Sequence, residues 1–350
     1  MILQVWNMKN FLYQGNSLSI MRTISDNNVD LIYLDPPFFT NRAHEAHTQT
    51  HDSVSFDDIW KNGIDEYLEF MKSIFRESLR ILNKNGTLFL HCDWHAVHYL
   101  KVELDKIFGY HNFRNEIIWT RHNSQNNHKQ GAKIFGRMHD SILFYSKSSD
   151  YIWNQPYEKY SEDYIKRTYR NTDEDTGERY ALGDLSGPGG ASKGNPYFEF
   201  MGFTQHWRYN KEKMNELLKQ GKIVQTRPGT LPKLKRYLKD MKGVSLSDVW
   251  TNIQSDQTKK RHSVMYPTQK SLELLDRIIV CATNKGDLVL DPFCGSGSTL
   301  IAAQNVNRNW IGIDVSPQAI EITKLRLKKF GISEFQMIKN SSQVVKQYTT

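Results

Sequence analysis

Residues 288–299 read Leu-Val-Leu-Asp-Pro-Phe-Cys-Gly-Ser-Gly-Ser-Thr. The apolar run at the start indicates a short buried strand, and a helix is predicted to begin near Thr299. Gly295 and Gly297 lie at the turn between them, where glycine lets the backbone approach a ligand closely and the helix N-terminus favours a carboxylate. Leu300 stands where the dinucleotide fingerprint has its third glycine, so a nicotinamide cofactor is disfavoured.

The next predicted strand, Trp310 to Ile313, ends at Asp314. A carboxylate in that position could accept hydrogen bonds from both hydroxyls of a ribose. Together with the glycine turn, it favours a ligand that contains adenosine and a carboxylate but no phosphate. The alternative is that Asp314 is a helix cap or a turn acid before Ser316-Pro317.

The same alternation of strands and helices occurs towards both ends of the chain. Predicted strands occupy Val29–Leu34 and Thr87–His91, and the turn Asn83–Gly86 leads into the second of them. Between these strands, one helical face carries apolar residues: Leu68, Met71, Phe75, Leu79 and Leu82. A helix is also predicted over 271–283, with a stop at Gly286. These patterns predict an α/β fold with a doubly wound, mostly parallel but mixed sheet that helices cover on both faces.

A second polar motif, Asp35-Pro-Pro-Phe38, directly follows the first of those strands. Residues at the carboxyl end of a strand in an open α/β sheet face the ligand crevice. The prolines Pro36 and Pro37 fix the backbone, so the Asp35 carboxylate and the Pro36 carbonyl would present two acceptors to one amino group, and Phe38 would stack on a ring. The alternative is an ordinary rigid turn.

Composition excludes several classes of protein. The 350 residues are enough for one large domain with an insertion or for two modest domains. The three cysteines contain no CxxC pair, which argues against a disulfide framework or a cysteine zinc site. The chain contains no apolar run long enough for a membrane span and does not begin like a signal peptide. We therefore expect a soluble protein in the reducing cytoplasm.

The positive charge is concentrated in the middle of the chain. Residues 121–270 contain 26 Lys and Arg against 16 Asp and Glu, a net of +10, whereas the rest of the chain contains 20 against 22, a net of −2. Aromatic residues are interleaved with these charges, which is typical of surfaces that neutralise phosphates. A merely basic, solvated surface is the alternative.

The order of the two motifs resembles a known family. Asp35-Pro-Pro-Phe38 near the start and Asp291-Pro-Phe-Cys-Gly-Ser-Gly297 near the end look like the catalytic and cofactor motifs of amino-group DNA methyltransferases, in the permuted order of the β group. Residues 262–270, His-Ser-Val-Met-Tyr-Pro-Thr-Gln-Lys, resemble the family segment that closes over the methionine end of the cofactor. The resemblance covers nearly the whole chain.

The resemblance implies S-adenosylmethionine as cofactor, with no metal, and double-stranded DNA as substrate, with the target base flipped out of the helix. The residues that would handle the target base are Asp35, Pro36, Pro37 and Phe38. The residues that would bind or border the cofactor are Asn16, Asp35, Thr268, Lys270, Asp291, Phe293, Gly295, Gly297, Ser298 and Asp314. Two positions depart from the family pattern, since Asn16 replaces an expected acid and Phe38 replaces the commoner tyrosine.

The resemblance also leaves alternatives open. An aspartate at the first position of the Asp35 motif favours N6 of adenine, whereas N4 of cytosine is the nearest rival and methylation of RNA or of a protein amide a more distant one. A non-catalytic DNA-binding module is the alternative outside enzymes. A partner restriction endonuclease is compatible with the family, and the oligomeric state is not predicted.

The predicted organisation has three parts. Residues 1–146 form the catalytic half of the methyltransferase domain, 147–255 a target-recognition module, and 256–350 the cofactor-binding half. His139–Tyr145 is expected to be an edge or hairpin strand that returns to the sheet before the module begins. The charged residues from Glu321 to Lys329 are interpreted as a solvated helix face.

Two further signals are interpreted as unrelated to chemistry. His44, His47 and His51, with Glu45, have a spacing that would suit metal ligation on a helix, but a polar loop after Phe38 is favoured. Cys92 is not preceded by proline, as the nucleophile of a cytosine-C5 mechanism would be, so a packing role is expected.

Overall fold

The computed structural model describes residues 10–39, 60–121, 133, 135–253 and 270–339, and the backbone of 43–47 and 53–57. The strands are β1 Phe11–Gln14, β2 Val29–Leu34, β3 Ala43–His47, β4 Ser53–Asp57, β5 Leu82–Cys92, β6 Phe113–Thr120, β7 His139–Ser146, β8 Tyr157–Glu158, β9 Asn171–Thr172, β10 Arg179–Asp184, β11 Tyr197–Phe200, β12 Phe203–His206, β13 Ile223–Val224, β14 Lys233–Tyr237, β15 Val244–Ser245, β16 Val249–Trp250, β17 Leu288–Asp291, β18 Asn309–Asp314 and β19 Gln336–Lys339.

The α-helices are α1 Ser17–Met21, α2 Ile64–Ile81, α3 Val97–Phe108, α4 Glu162–Thr168, α5 Lys211–Lys219, α6 Leu272–Ala282, α7 Ser298–Asn305 and α8 Pro317–Lys329. Short 3₁₀ turns occupy Tyr110–Asn112, Gly190–Lys193 and Leu238–Asp240.

Within the described residues, the largest sheet has nine strands in the order β16-β6-β7-β5-β2-β17-β18-β1-β19. The central strands β5, β2, β17, β18 and β1 run parallel to one another, whereas β7 is antiparallel to both β5 and β6. The predicted α/β fold with a mixed, mostly parallel sheet is therefore confirmed. The strand predicted at His139–Tyr145 is present as β7, but the expected edge position is wrong, because β7 pairs with β5 on one side and with β6 on the other.

The sheet is covered on both faces because its strands are apolar on both faces. Leu31 and Tyr33 pack in the cluster that contains residues of α6 and α7, whereas Ile32 and Leu34 pack in the cluster that contains residues of α2 and α3. Successive side chains of a strand point to opposite faces, so β2 contributes to both clusters. Burying an aliphatic or aromatic side chain contributes roughly 1.5 to 3 kcal/mol each.

Two local predictions around α2 are corrected. The predicted helical face is buried at Met71 and Phe75, but the helix ends at Ile81, and Leu82 already belongs to β5. The predicted turn at Asn83–Gly86 instead lies within β5, where the register with β2 shifts. A backbone group in this stretch is hydrogen-bonded to a residue distant in the sequence, since the Gly86 carbonyl accepts a hydrogen bond from the backbone N–H of Lys147.

The chain divides into two compact units, one formed by the described residues up to Gln155 and from Ser247 onwards, the other by Pro156–Leu246. The second unit is shorter than the predicted module of 147–255. Its flanks belong to the first unit, because Trp153 stacks on Phe144 at 5.7 Å and β16 pairs with β6.

The second unit contains a four-stranded antiparallel sheet in the order β13-β14-β10-β9. A small core surrounds the fully buried Trp207, with Met214 and Leu217 of α5 packed in the same cluster. Residues 156–246 contain 17 Lys and Arg against 12 Asp and Glu, a net of +5. Part of the predicted basic excess therefore lies in this unit.

Among the helices that the structure describes, none is long and apolar enough to cross a membrane. The three cysteines are buried with free thiols. Cys92 is fully buried in the core at the end of β5, in line with the packing role expected for it.

Candidate active site

Four acidic or polar positions meet at one edge of the large sheet. Gln14, Asp291 and Asp314 end the parallel strands β1, β17 and β18, and Asp35 directly follows Leu34 at the end of β2. The carboxyl ends of parallel neighbours lie at the same edge. From β2 the chain continues to β5 on one side, whereas from β17 it continues to β18 on the other, so the pair β2 and β17 forms the point where ligands bind in open α/β sheets.

The turn between β17 and α7 requires glycine at Gly297. Its φ is +74°, and a Cβ built there would lie 2.6 Å from Thr323 Cγ2. Its backbone N–H donates to the Cys294 carbonyl at 2.7 Å, and the Cys294 N–H donates to the Ile313 carbonyl at 2.9 Å. The turn is thus bound to the end of β18, with its backbone brought close to the ligand crevice.

A buried arginine anchors this turn from α8. Arg326 Nη1 donates to the Ser296 carbonyl at 2.6 Å, to Ser296 Oγ at 2.7 Å and to Ser298 Oγ at 3.0 Å. Arg326 is 5% exposed, so the predicted solvated face of Glu321–Lys329 is wrong at this residue. The signal for its burial was its position near the end of α8, on the helix face that also buries Thr323 and Leu327.

Two acids border the turn. Asp291 is buried and accepts from the Phe293 N–H at 3.0 Å, and Asp314 accepts from the N–H groups of Gly295 and Ser316, both at 2.8 Å. Burial, with a smaller repulsion from Asp35 and Asp314, raises the pKa of Asp291 to about 7. Burial also raises the pKa of Asp314. A site with one buried and one half-buried carboxyl favours a ligand that carries positive charge.

The turn-acid interpretation of Asp314 is supported in part. The carboxylate does hold the Ser316 N–H, whereas the cap of α8 is Ser316 itself, whose Oγ accepts from the Ala319 N–H. Asp314 also holds the glycine turn through Gly295, so it connects the two ligand-facing segments.

The Asp35 motif contacts a residue 235 positions away. Lys270 Nζ lies 2.7 Å from both carboxylate oxygens of Asp35 and 5.0 Å from the centre of the Phe38 ring. Both partners of this ion pair are largely buried, with side-chain exposures of 12% and 17%. Lys270, which the resemblance assigned to the cofactor, therefore contacts the predicted catalytic residues.

A histidine that was not predicted from the sequence as a site residue packs against the Asp35 motif. His91, fully buried at the end of β5, stacks on Phe38 with ring centres 5.9 Å apart. Its Nε2 is 3.2 Å from Asp140 Oδ2 and its Nδ1 is 2.8 Å from Tyr33 Oη. Because a carboxylate only accepts, Nε2 carries the proton and Nδ1 accepts from the tyrosine. Arg121 completes the network at 3.1 Å from Asp140.

Electrostatics keep this histidine neutral. Burial, helped by the positive charge of Lys270, lowers the pKa of His91. Burial alone would raise the pKa of Asp140. The hydrogen bond from His91 and the charge of Arg121 outweigh this effect, so the pKa of that carboxyl is lowered. A neutral imidazole beside a carboxylate holds Phe38 in place without adding a buried charge.

The other residues predicted to belong to the site differ in their contacts and burial. Asn16 caps α1, since its Oδ1 accepts from the Ser19 N–H at 3.0 Å. Phe293 is half-buried, with its ring edge-on to Phe70 at 6.2 Å. Pro36 is buried, whereas Pro37 is half-buried. Thr268 and the rest of 262–269 lie outside the described residues.

The histidine-rich segment does not form the helix that metal ligation at that spacing would need. Ala43–His47 is strand β3, paired antiparallel with β4, so the favoured loop is wrong as well. His51 lies outside the described residues. Where the structure describes the chain, no cluster of three or more His, Cys, Asp or Glu side chains is arranged to hold a metal ion.

The sheet order, the glycine turn between β17 and α7 and the acids at neighbouring strand ends define the S-adenosylmethionine-dependent methyltransferase fold. The model of the N6/N4 DNA methylase family matches residues 29–325. The chain belongs to this family, and its cofactor is S-adenosylmethionine.

Relatives of known identity agree with this assignment. The type II methyltransferase M.EcaI of Enterobacter cloacae is 34% identical over 335 residues, which cover 93% of this chain and 70% of that protein. The Mod subunit of the type III restriction-modification enzyme StyLTI of Salmonella typhimurium is 25% identical, over 86% of this chain and 50% of the subunit. The chain thus spans between half and seven tenths of the length of these relatives.

A solved structure shares the fold. TTHA0409 of Thermus thermophilus, assigned as a DNA modification methylase, superposes with a TM-score of 0.50 at 18% identity, over 95% of this chain and 100% of that protein. The same protein in complex with S-adenosyl-L-methionine also gives a TM-score of 0.50, at 16% identity.

Proposed function

We propose that this protein transfers a methyl group from S-adenosylmethionine to N6 of an adenine in a short sequence of double-stranded DNA. The observation that carries the proposal is the position of Asp35, which follows β2 next to the strand that ends in Asp291. The carboxylate that we assign to the target amine therefore follows the strand next to the one that leads into the proposed cofactor turn, which supports the proposal. Asp35 even contributes to the raised pKa of Asp291.

The chemistry at an exocyclic amine needs orientation more than a strong base. The amine lone pair is delocalised into the base ring, and acceptors on the two amine hydrogens direct that lone pair towards the methyl group. The Asp35 carboxylate and the Pro36 carbonyl are the proposed acceptors. Positioning and preorganised electrostatics supply the rate.

Phe38 and His91 provide a stable surface beside this amine. The Phe38 ring is fixed by its stacking on His91, which is itself held by hydrogen bonds on both nitrogens. A flipped adenine stacks on Phe38 in this proposal, while a target amine replaces Lys270 as the partner of Asp35. Loss of the tyrosine hydroxyl common in the family leaves the stacking face intact.

The residues around the glycine turn fit the cofactor. S-adenosylmethionine supplies an electrophilic methyl group on a positively charged sulfonium. The lack of side chains at Gly295 and Gly297 lets the cofactor approach the backbone closely. Asp314 accepts hydrogen bonds from the ribose hydroxyls of the cofactor, and Asp291 balances its positive charge. Phe293, Ser298, Asn16 and Thr268 remain proposed neighbours of the cofactor on the strength of the resemblance.

The second compact unit, 156–246, is proposed to read the DNA sequence. Its net charge of +5 and its aromatic residues suit contact with phosphates and bases. The relatives are named for type II and type III restriction-modification, so we also propose a partner restriction endonuclease and a cytoplasmic location.

Adenine is preferred over cytosine because Asp35 stands where N4-cytosine enzymes usually have serine. The family itself includes both activities. Mass spectrometry of nucleosides from unmethylated DNA incubated with the protein and S-adenosylmethionine tests the choice. N6-methyladenine supports the proposal, whereas N4-methylcytosine overturns the base assignment and leaves the cofactor and mechanism in place. If the protein fails to bind cofactor in calorimetry, the non-catalytic DNA-binding module becomes the better explanation.

A further inference from the structure

Beyond the Asp35 motif, the first unit exposes large apolar side chains in two neighbouring segments. Trp94, in the turn between β5 and α3, is 45% exposed, and Met138, just before β7, is 39% exposed. Phe135 is 95% exposed. The Arg137 guanidinium lies over the Trp94 ring, which joins the two segments, and we term Trp94, Phe135, Arg137 and Met138 the Trp94 surface. Most exposed side chains of this size in a monomer are scattered, so a group of three calls for an explanation.

The register of the sheet places this surface at the same edge as Asp35. Leu34 of β2 pairs with Leu90 of β5, so Asp35 and Trp94 both follow their strands within four residues of that pair. Cys92 pairs with Ser141 of β7, which enters the sheet from this edge. Neighbouring strands lie about 4.8 Å apart, so the Trp94 surface is adjacent to the proposed site of the target base.

Trp94 is held rigidly. Asp93 accepts from the His95 N–H at 2.9 Å and lies 2.8 Å from His95 Nδ1, which fixes the turn. The His95 ring lies 3.8 Å from the Trp94 ring, and the Arg137 guanidinium carbon lies 3.5 Å from the centre of the same ring. The indole therefore loses little conformational freedom when it makes a new contact.

The charge around Trp94 has one sign. The exposed charged side chains of the described segments 93–99 and 133–139 are Lys133 and Arg137, and the acid of these segments, Asp93, is buried. Arg121, which directly follows β6, is 42% exposed and is paired with Asp140. Planar aromatic groups surrounded by cations suit nucleic acid, because bases offer π faces and phosphates offer negative charge.

We propose that the Trp94 surface contacts the DNA duplex next to the target base and that its exposed aromatic side chains pack against the bases that lose a neighbour when the target rotates out. This inference rests on the proposed function, since it assumes a base that is extruded from a duplex. Unstacking opposes extrusion. Aromatic contacts at the gap offset that cost, so they raise the fraction of DNA whose target base lies in the site.

The test compares variants on two substrates. The methylated position is first mapped in unmethylated PCR-amplified DNA, and a short duplex is made around it. A second duplex has an abasic site opposite the target base, so the target is already unpaired. The variants are Phe135→Ser and Trp94→Ala, with Trp94→Phe as the conservative substitution. Tyr110→Ala is the matched control, because Tyr110 is 69% exposed and precedes β6 at the opposite edge of the sheet.

We expect Phe135→Ser and Trp94→Ala to lower kcat/KM on the paired duplex about tenfold or more, because stacking on one base is typically worth that factor. On the abasic duplex the loss should be about threefold or less, since the target there has no pairing to lose. Trp94→Phe and Tyr110→Ala should remain close to wild type on both. Calorimetric binding of S-adenosylmethionine should be unchanged in every variant.

Equal losses on both duplexes would overturn the proposal, as would wild-type rates for Phe135→Ser and Trp94→Ala on the paired duplex. The failure of the proposed function gives a different result, because the wild-type protein would then methylate neither duplex. Weaker cofactor binding in Trp94→Ala alone would assign that residue a structural role, and Phe135→Ser would then decide, since its side chain is almost fully exposed.

Discussion

Lys270 Nζ lies 2.7 Å from each carboxylate oxygen of Asp35. An ammonium group presents N–H donors in the place where the target amine is expected to donate. The contact fixes the direction of the carboxylate before the base arrives. It also means that the base must compete with Lys270 for this acceptor.

Lys270→Met should lower kcat/KM for DNA, because the free Asp35 carboxylate loses the partner that orients it before the base arrives. Misplacement of a group at the reacting centre can lower the rate by about a hundredfold, so we expect a loss of about tenfold to a hundredfold. Lys270→Arg should recover part of it. Steady-state kinetics with saturating cofactor check this, with Lys324→Met, in an exposed helix pair, as control. An unchanged kcat/KM for DNA in Lys270→Met would rule out the orienting role.

Cofactor affinity should rise with pH through about 7, where the buried Asp291 loses its proton. The positively charged cofactor stabilises the ionised carboxylate, so binding releases a proton when the free site is protonated. Affinity is therefore weakest below pH 7 and levels off above it. Calorimetry in buffers of different ionisation enthalpy measures the proton release. Asp291→Asn should bind more weakly and lose this dependence, and a wild-type affinity that is flat from about pH 6 to 8 would contradict the assignment.

His91→Leu should destabilise the protein by about 2 to 4 kcal/mol, because it removes the partner of the buried Tyr33 hydroxyl and one of the two partners of the Asp140 carboxylate. His91→Gln should cost less, since an amide replaces one of the two hydrogen bonds. Denaturant unfolding measures both. The exposed His98 of α3 provides the control, and His98→Leu should change stability little. Equal stability of the two Leu variants would show that the network does not hold the site.

A comparison of Gly297→Ala with Gly331→Ala separates the cost of a steric clash from the cost of placing alanine at a positive φ. Both glycines have a φ of +74°, but a Cβ at Gly297 would meet Thr323 at 2.6 Å, whereas a Cβ at Gly331 would meet nothing within 4 Å. We expect Gly331→Ala to cost about 1 kcal/mol and Gly297→Ala clearly more. Adding Thr323→Ala to Gly297→Ala should recover part of the extra loss in the free energy of unfolding, because the clashing side chain is then shortened. Equal costs for the two glycines would rule out the clash.

The sequence predicted those features that depend on local pattern. The strand 288–291 and the helix α6 agree with their predicted positions, because unbroken apolar runs and helical periodicity are local signals. The predicted strands that lead into Asp35, Asp291 and Asp314 are also present, and because they are parallel neighbours the three acids lie at the same edge of the sheet.

Features that depend on distant partners were not predictable in this way. Helical spacing puts Arg326 on the face of Thr323 and Leu327, but its partner, the Ser296 carbonyl, lies thirty positions away in the sequence. His91 is one polar residue at the end of an apolar strand, and its partners Tyr33 and Asp140 lie on two other strands. The prediction of a turn at Asn83–Gly86 was wrong. This stretch belongs to β5, and the Gly86 carbonyl accepts a hydrogen bond from the N–H of Lys147, which follows β7.

The most direct test of the central claim is methyl transfer from labelled S-adenosylmethionine to unmethylated duplex DNA by wild type, Asp35→Ala and the control Asp65→Ala, an exposed acid at the start of α2. Asp35→Ala should lose at least about a hundredfold of the transfer rate, because a preorganised group at the reacting centre is removed. It should retain cofactor binding, and Asp65→Ala should match wild type. Methyl transfer by Asp35→Ala at the wild-type rate would contradict the assignment of Asp35 as the residue that orients the target amine.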